Sequence, residues 1–153
     1  MQVIPTANPD QLTLFQRGTI DAVWTVEPWV SRLEFEAGGK SFVEERDAVT
    51  TILVSRAKFL KEHRQLAEKL AQAHAELTAW IDAHPAEAQK LVRDELVAEM
   101  KHDISADLIS HAWRRLRFTS EISLEPFDQF MAAAQQAGFL REKIDLKHFV
   151  EVP

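Results

Sequence analysis

The residues best suited to holding a small molecule lie near the start of the chain. Trp24, Glu27, Pro28 and Trp29 close or follow a short β-branched and apolar run, Ile20 to Val26 (IDAVWTV). An indole can cover the apolar part of a ligand, and a carboxylate accepts a hydrogen bond from a protonated or amine-bearing one. Pro28 presets the first turn of a helix, where amide hydrogens favour an anion. A carboxylate repels a bare anion unless a proton or cation bridges them. Glu27 therefore has two readings, as ligand wall or as cap and brace of its own helix. Trp29 likewise reads as ligand contact or as core. Thr6 and Asn8 stand in the analogous place after the brief run Val3 to Thr6, and Asn8 also reads as a helix cap.

Little else in the chain points to chemistry. The histidines (His63, His74, His84, His102, His111 and His148) are not paired at i, i+4, and there is no H-E-x-x-H, so no metal site is expected. With no cysteine, disulfides, thiolate ligands and cysteine nucleophiles are excluded. There is no G-x-S-x-G, P-loop or G-x-G-x-x-G; the Gly38-Gly39 pair reads as a helix terminator. No catalytic residue and no cofactor is expected. A net charge of −6 opposes binding to nucleic acid or to an anionic membrane surface. Arg114, Arg115 and Arg117, which flank Trp113, read as a solvated helix end, and Glu44-Glu45 as a solvated loop.

The elements that would position these groups change in kind along the chain. Val3 to Thr6, Ile20 to Val26 and Thr50 to Ser55 (TTILVS) read as strands, separated by helices that Gly18 and Gly38-Gly39 end. That order predicts α/β architecture, with parallel β-α-β units of about three strands followed by a helix-only half. In the second half Gln65 to His84 reads as one long helix with an apolar stripe of Leu66, Leu70, Ala73, Leu77, Trp80 and Ile81. Pro85 opens another, with Leu91, Val92, Leu96 and Met100 inward. Ser105 caps a helix carrying Leu108, Ile109 and Ala112, and Pro126 begins one, with Phe127, Phe130, Met131 and Ala134 inward, that Gly138 closes. Trp80, Trp113, Phe127 and Phe130 fall at helical spacing and read as core. No apolar run reaches the roughly 20 residues that span a bilayer, and Met1 to Pro5 lacks the pattern of a signal peptide.

Several phrases recur together. Leu14-Phe15-Gln16-Arg17-Gly18-Thr19-Ile20-Asp21-Ala22, with Trp24 and Glu27-Pro28-Trp29, resembles a stretch of the ABC-transporter solute-binding proteins for nitrate, sulfonates and taurine, the NMT1/THI5-like group. Thr51 to Ser55, Phe59-Leu60, Ala79-Trp80-Ile81, His84 to Ala88, Phe118-Thr119 and Ala137 to Leu140 continue the resemblance in order. It implies the C-terminal portion of a two-lobed periplasmic-binding-protein type II fold. Residues 1–48 would be the C-terminal part of the second lobe. Residues 49–153 would supply the strand returning to the first lobe, with helices packed on that lobe. The N-terminal lobe would be absent.

The function so implied is capture of a small anion or organic sulfonate in an interlobe cleft, without catalysis, for delivery to an ABC permease and its ATPase. Trp24, Glu27, Pro28, Trp29, Thr6 and Asn8 would line the cleft, and Thr50 and Thr51 would act as hinge. The full-length parent would be periplasmic or lipid-anchored outside the cytoplasm. A thiamine-pyrimidine synthase-like enzyme shares the lobe architecture, but it would need a cysteine-rich motif that is absent here. A third reading is an interaction module whose uncovered apolar surface pairs one copy with another as a homodimer.

Overall fold

The computed structural model describes residues 2–46, 48–142 and 144–146; His148 lies outside them. Seven helices follow one another among the described residues: α1 (Asn8–Gln16), α2 (Trp29–Ala37), α3 (Ala57–Glu62), α4 (Arg64–Ala83), α5 (Pro85–Met100), α6 (Ala106–Trp113) and α7 (Glu125–Gln136). Their ends follow local chemistry. Gly18 and Gly38 take left-handed conformations, with φ of 65° and 66°, just beyond α1 and α2. Prolines stand in the first turns of α1, α5 and α7. The Ser105 hydroxyl accepts from the Leu108 amide at 3.1 Å and caps α6.

The α/β expectation does not hold. None of the described residues is in a β-strand, and Val3 to Thr6, Ile20 to Val26 and Thr50 to Ser55 are extended or bent segments without a paired neighbour. Val3, Trp24, Leu53 and Val54 are exposed. Composition makes such runs look like strands, but a strand exists only when a second one takes up its backbone N–H and C=O groups. With no second strand alongside, no ladder forms and the segments stay irregular. A parallel sheet therefore does not form.

The described chain divides into two compact units. The first joins Met1–Glu44 to His84–Arg117, and the second joins Glu45–Ala83 to Phe118–Pro153. In the first, α1 packs on α2, α2 on α6, and α5 on α6. Ile104, Leu108 and Ile109 form its apolar centre, with Leu96, Val97 and Met100 of α5 packed against them. Leu91 and Val92, expected inward, are exposed. The Gln16 side-chain amide donates to the Glu36 carbonyl at 3.1 Å and ties the C-terminal ends of α1 and α2 together.

In the second unit α3 packs on α4. Ala67 and Met131 are buried, and Trp80 and Phe127 are half-buried. Phe130, expected in the core, is 72% exposed. Phe127, Met131 and Ala134, expected on the same face of α7, are half-buried or buried, so Phe130 alone departs from that face. No helix among the described residues is long and apolar enough to cross a membrane.

Substituting Ser105→Ala is expected to lower the unfolding free energy by about 1 kcal/mol through loss of the cap. Ile109→Ala is expected to cost about 2–4 kcal/mol through a core cavity. Urea denaturation followed by far-ultraviolet circular dichroism measures both.

Candidate functional site

The chemistry-bearing groups of the first unit converge on α2. Glu27, Ser31 and Glu34 stand at i, i+4 and i+7, a spacing that puts them on one helical face. Across from them, α6 and the turn beyond it carry His111 and Arg115, again four apart. Arg115 grips both carboxylates. Its Nη1 donates to Glu27 Oε1 at 2.9 Å and to Glu34 Oε2 at 2.9 Å, while Nη2 donates to Glu34 Oε1 at 3.0 Å. The fork on Glu34 is bidentate, the geometry in which a guanidinium binds a carboxylate most firmly. The Arg115 hydrogen bonds hold the Glu34 carboxyl below the ordinary glutamate range against the opposing effect of burial, and the Ser41 hydroxyl adds a further hydrogen bond at 3.0 Å. Glu34 in turn, with Glu27, raises the guanidinium pKa.

Glu27 does two things at once. Its Oε1 takes the Arg115 hydrogen bond, and its Oε2 accepts the Ser31 amide at 3.1 Å. The remaining first-turn amides are also engaged: Trp29 and Val30 donate to the Val26 carbonyl at 3.0 and 3.3 Å, and Arg32 donates to the Pro28 carbonyl at 2.9 Å. The N-terminus of α2 is thus closed by its own chain. The Glu27–Pro28 peptide is cis, and Pro28 stands at the N-cap of α2.

Ser31 is fully buried, and its hydroxyl shares a hydrogen bond with His111 Nδ1 at 3.1 Å. Glu34 Oε2 lies 3.6 Å from that same nitrogen. A nucleophile–base–acid relay needs the serine on one ring nitrogen and the acid on the other. Here both approach Nδ1, so the trio braces α2 against α6 and is not arranged as a relay. The Phe35 ring meets the His111 imidazole edge-on, with centroids 5.3 Å apart.

The other sequence-predicted residues form a second, outward group. Asn8 is the first residue of α1, and its side chain makes no N-cap hydrogen bond. Its Oδ1 accepts from Gln11 Nε2 at 3.0 Å and from Thr25 Oγ1 at 3.4 Å. The segments around Asn8 and Trp24 therefore lie side by side, which the sequence spacing of the two did not require. Trp24 is 78% exposed, Trp29 is half-buried, and the Thr6 hydroxyl donates to the Ile4 carbonyl at 3.1 Å. Gln11 Oε1 is buried and has no hydrogen-bond partner among the described residues.

Thr50 and Thr51 are exposed and belong to the second unit. That unit also holds a hollow of about 150 Å³ lined by Arg56, Lys58, Phe59, Glu62 and His63. Its Lys58 ammonium lies 3.7 Å from Glu62. Among the described residues no group of His, Asp or Glu side chains is placed to hold a metal ion.

The residue that sequence reasoning missed is Arg115, read as solvent-facing with its neighbours. Arg114 and Arg117 are exposed, but Arg115 turns inward. The Glu27–Ser31–Glu34 spacing puts two carboxylates on one face, but it does not say that a cation meets them or which one.

A model of the NMT1-like family matches residues 1–94, a span that includes Asn8, Trp24, Glu27 and Glu34 and ends before His111 and Arg115. No curated protein and no solved structure matches the chain.

Arg115→Met is expected to destabilise the first unit by about 2–4 kcal/mol, because it leaves two largely buried carboxylates facing each other. Arg115→Lys should recover only part of this, since an ammonium cannot make the bidentate fork. The Glu34 contribution also has a pH signature. Because the folded pKa is depressed, stability from this carboxylate is full above the unfolded value of about 4.3 and is lost as pH falls through the folded one. The stability gap between wild type and Glu34→Gln should therefore narrow on acidification below about pH 4. Urea titrations at a series of pH values measure that gap.

Proposed function

The chain belongs to the NMT1-like family, and on that premise we propose that it serves in solute capture for an ABC importer. It binds a small anion or organic sulfonate without covalent chemistry and passes it to a permease driven by an ATPase, outside the cytoplasm. The observation that carries the reading is the juxtaposition of Asn8, Thr25 and the exposed Trp24 on the first unit. Asn8 engages its carbonyl oxygen within the chain, so its amide N–H donors are the groups it offers to a ligand. Those donors suit the oxygens of nitrate or a sulfonate, and the Trp24 indole suits an alkyl segment beside them.

Glu27 supports this face from behind. Its two oxygens are engaged by Arg115 and the Ser31 amide, so it fixes the loop that carries Trp24.

Thermal unfolding with nitrate, taurine and short alkanesulfonates tests the proposal. A true ligand at 100 times its dissociation constant is expected to add about 2.7 kcal/mol of stability. Asn8→Ala and Trp24→Ala should each weaken that ligand about tenfold or more, by removing the donors or the apolar cover. If no anion of the set shifts the midpoint, or if both variants keep full affinity, the assignment fails.

A further inference from the structure

The longest helix carries its apolar stripe on the side the chain leaves open. In α4, Ala67 and Thr78 are buried at 8% and 7% exposure, while Leu66, Leu70 and Leu77 remain 56%, 51% and 54% exposed. Those leucines, with Ala73 between them and Trp80 after, are spaced 4-3-4-3, the a and d positions of a heptad repeat. The helix has 20 residues and so offers a straight seam of about 30 Å.

We infer that this seam is a pairing surface for a second copy of the chain, with the two α4 helices antiparallel. The flanking charges choose the orientation. Lys69 and Glu76 occupy the g positions, which face each other across an antiparallel pair, so Lys69 of each copy meets Glu76 of the other on both ends of the seam. A parallel pair would set Lys69 opposite His74 and Glu76 opposite Ile81, with no opposite charges matched. The layers agree. Antiparallel packing places Leu70 against Ala73 and Leu66 against Leu77, so large and small side chains interdigitate. Parallel packing would stack Ala73 on Ala73 and leave a gap between the leucine layers. Lys69 and Glu76 enter no ion pair among the described residues, where the charge pairing within α4 is Arg64 with Glu68. One short helix per copy makes a small interface, at the weak, reversible end of specific contacts.

Sedimentation and light scattering of the purified chain over about 10 µM to 1 mM test this inference. The wild type is expected to pass from monomer to dimer within that range. Lys69→Glu should raise the dimer dissociation constant about tenfold or more by setting like charges together at both ends. The double variant Lys69→Glu with Glu76→Lys should return it to near the wild-type value, because the pairs are re-formed with reversed sign. Leu70→Gln, at an exposed position, should keep the helical circular dichroism and lose the dimer. Because the chain has no cysteine, introduced thiols report the orientation. Leu66→Cys with Leu77→Cys should form an intermolecular disulfide, whereas Leu66→Cys alone should not. A chain that stays monomeric throughout overturns the inference. So does a dimer indifferent to the charge swap, or one in which Cys at position 66 alone cross-links efficiently. None of these outcomes depends on a ligand, so they stand apart from the anion-binding test.

Discussion

Arg115 holds together the part of the molecule on which the proposed ligand face depends. Its guanidinium spans from Glu27, two residues before α2, to the middle of that helix, where it takes both oxygens of Glu34. Removing a cation from water is costly unless its donors are engaged, and two carboxylates on one helix face engage them here. The same face buries Ser31 against His111. A polar network thus joins α2 to α6 across some eighty positions of sequence, while Ile104, Leu108 and Ile109 gather where α5 meets α6. The network gives the interface direction as well as attraction, since a bidentate fork tolerates little rotation.

That arrangement also divides labour along a short stretch of chain. Glu27 faces inward and closes the first turn of α2, so the loop before it is anchored at its C-terminal end. Trp24, three residues earlier, is left outside, and the Thr25 hydroxyl joins it to Asn8 at the start of α1. A carboxylate placed among ligand groups would repel an anion. Held by Arg115 and the Ser31 amide, Glu27 is instead the brace of the loop that carries Trp24.

Apolar surface is distributed unevenly. Helical spacing identified the Leu108, Ile109 and Ala112 face of α6 correctly, and those residues are buried. On α4 the same kind of reading picked a stripe whose Leu66, Leu70 and Leu77 the chain does not cover, and on α7 Phe130 departs from an expected face that is otherwise buried or half-buried. Periodicity reports that a face is apolar, and it is silent on what lies against it. The β-branched runs follow the same logic. Val3 to Thr6, Ile20 to Val26 and Thr50 to Ser55 have strand composition, but a strand is a relation between two segments and these have no neighbour in register.

The sequence by itself determined what depends on near neighbours along the chain. The helix starts marked by Pro9, Pro85 and Pro126 in their first turns, the Ser105 cap, and the left-handed stops at Gly18 and Gly38 were all legible, because each turns on the backbone and hydrogen-bonding habits of one or two residues. The family, too, was legible, in the ordered phrases from Leu14 to Trp29 and beyond. Tertiary structure alone decided three things: that Arg115 turns inward while Arg114 and Arg117 do not, that Glu27 is a brace, and that Asn8 meets Thr25. Each is a contact between groups distant in sequence. Such contacts are set by how helices stack and which buried charges must be matched, and no local propensity encodes them.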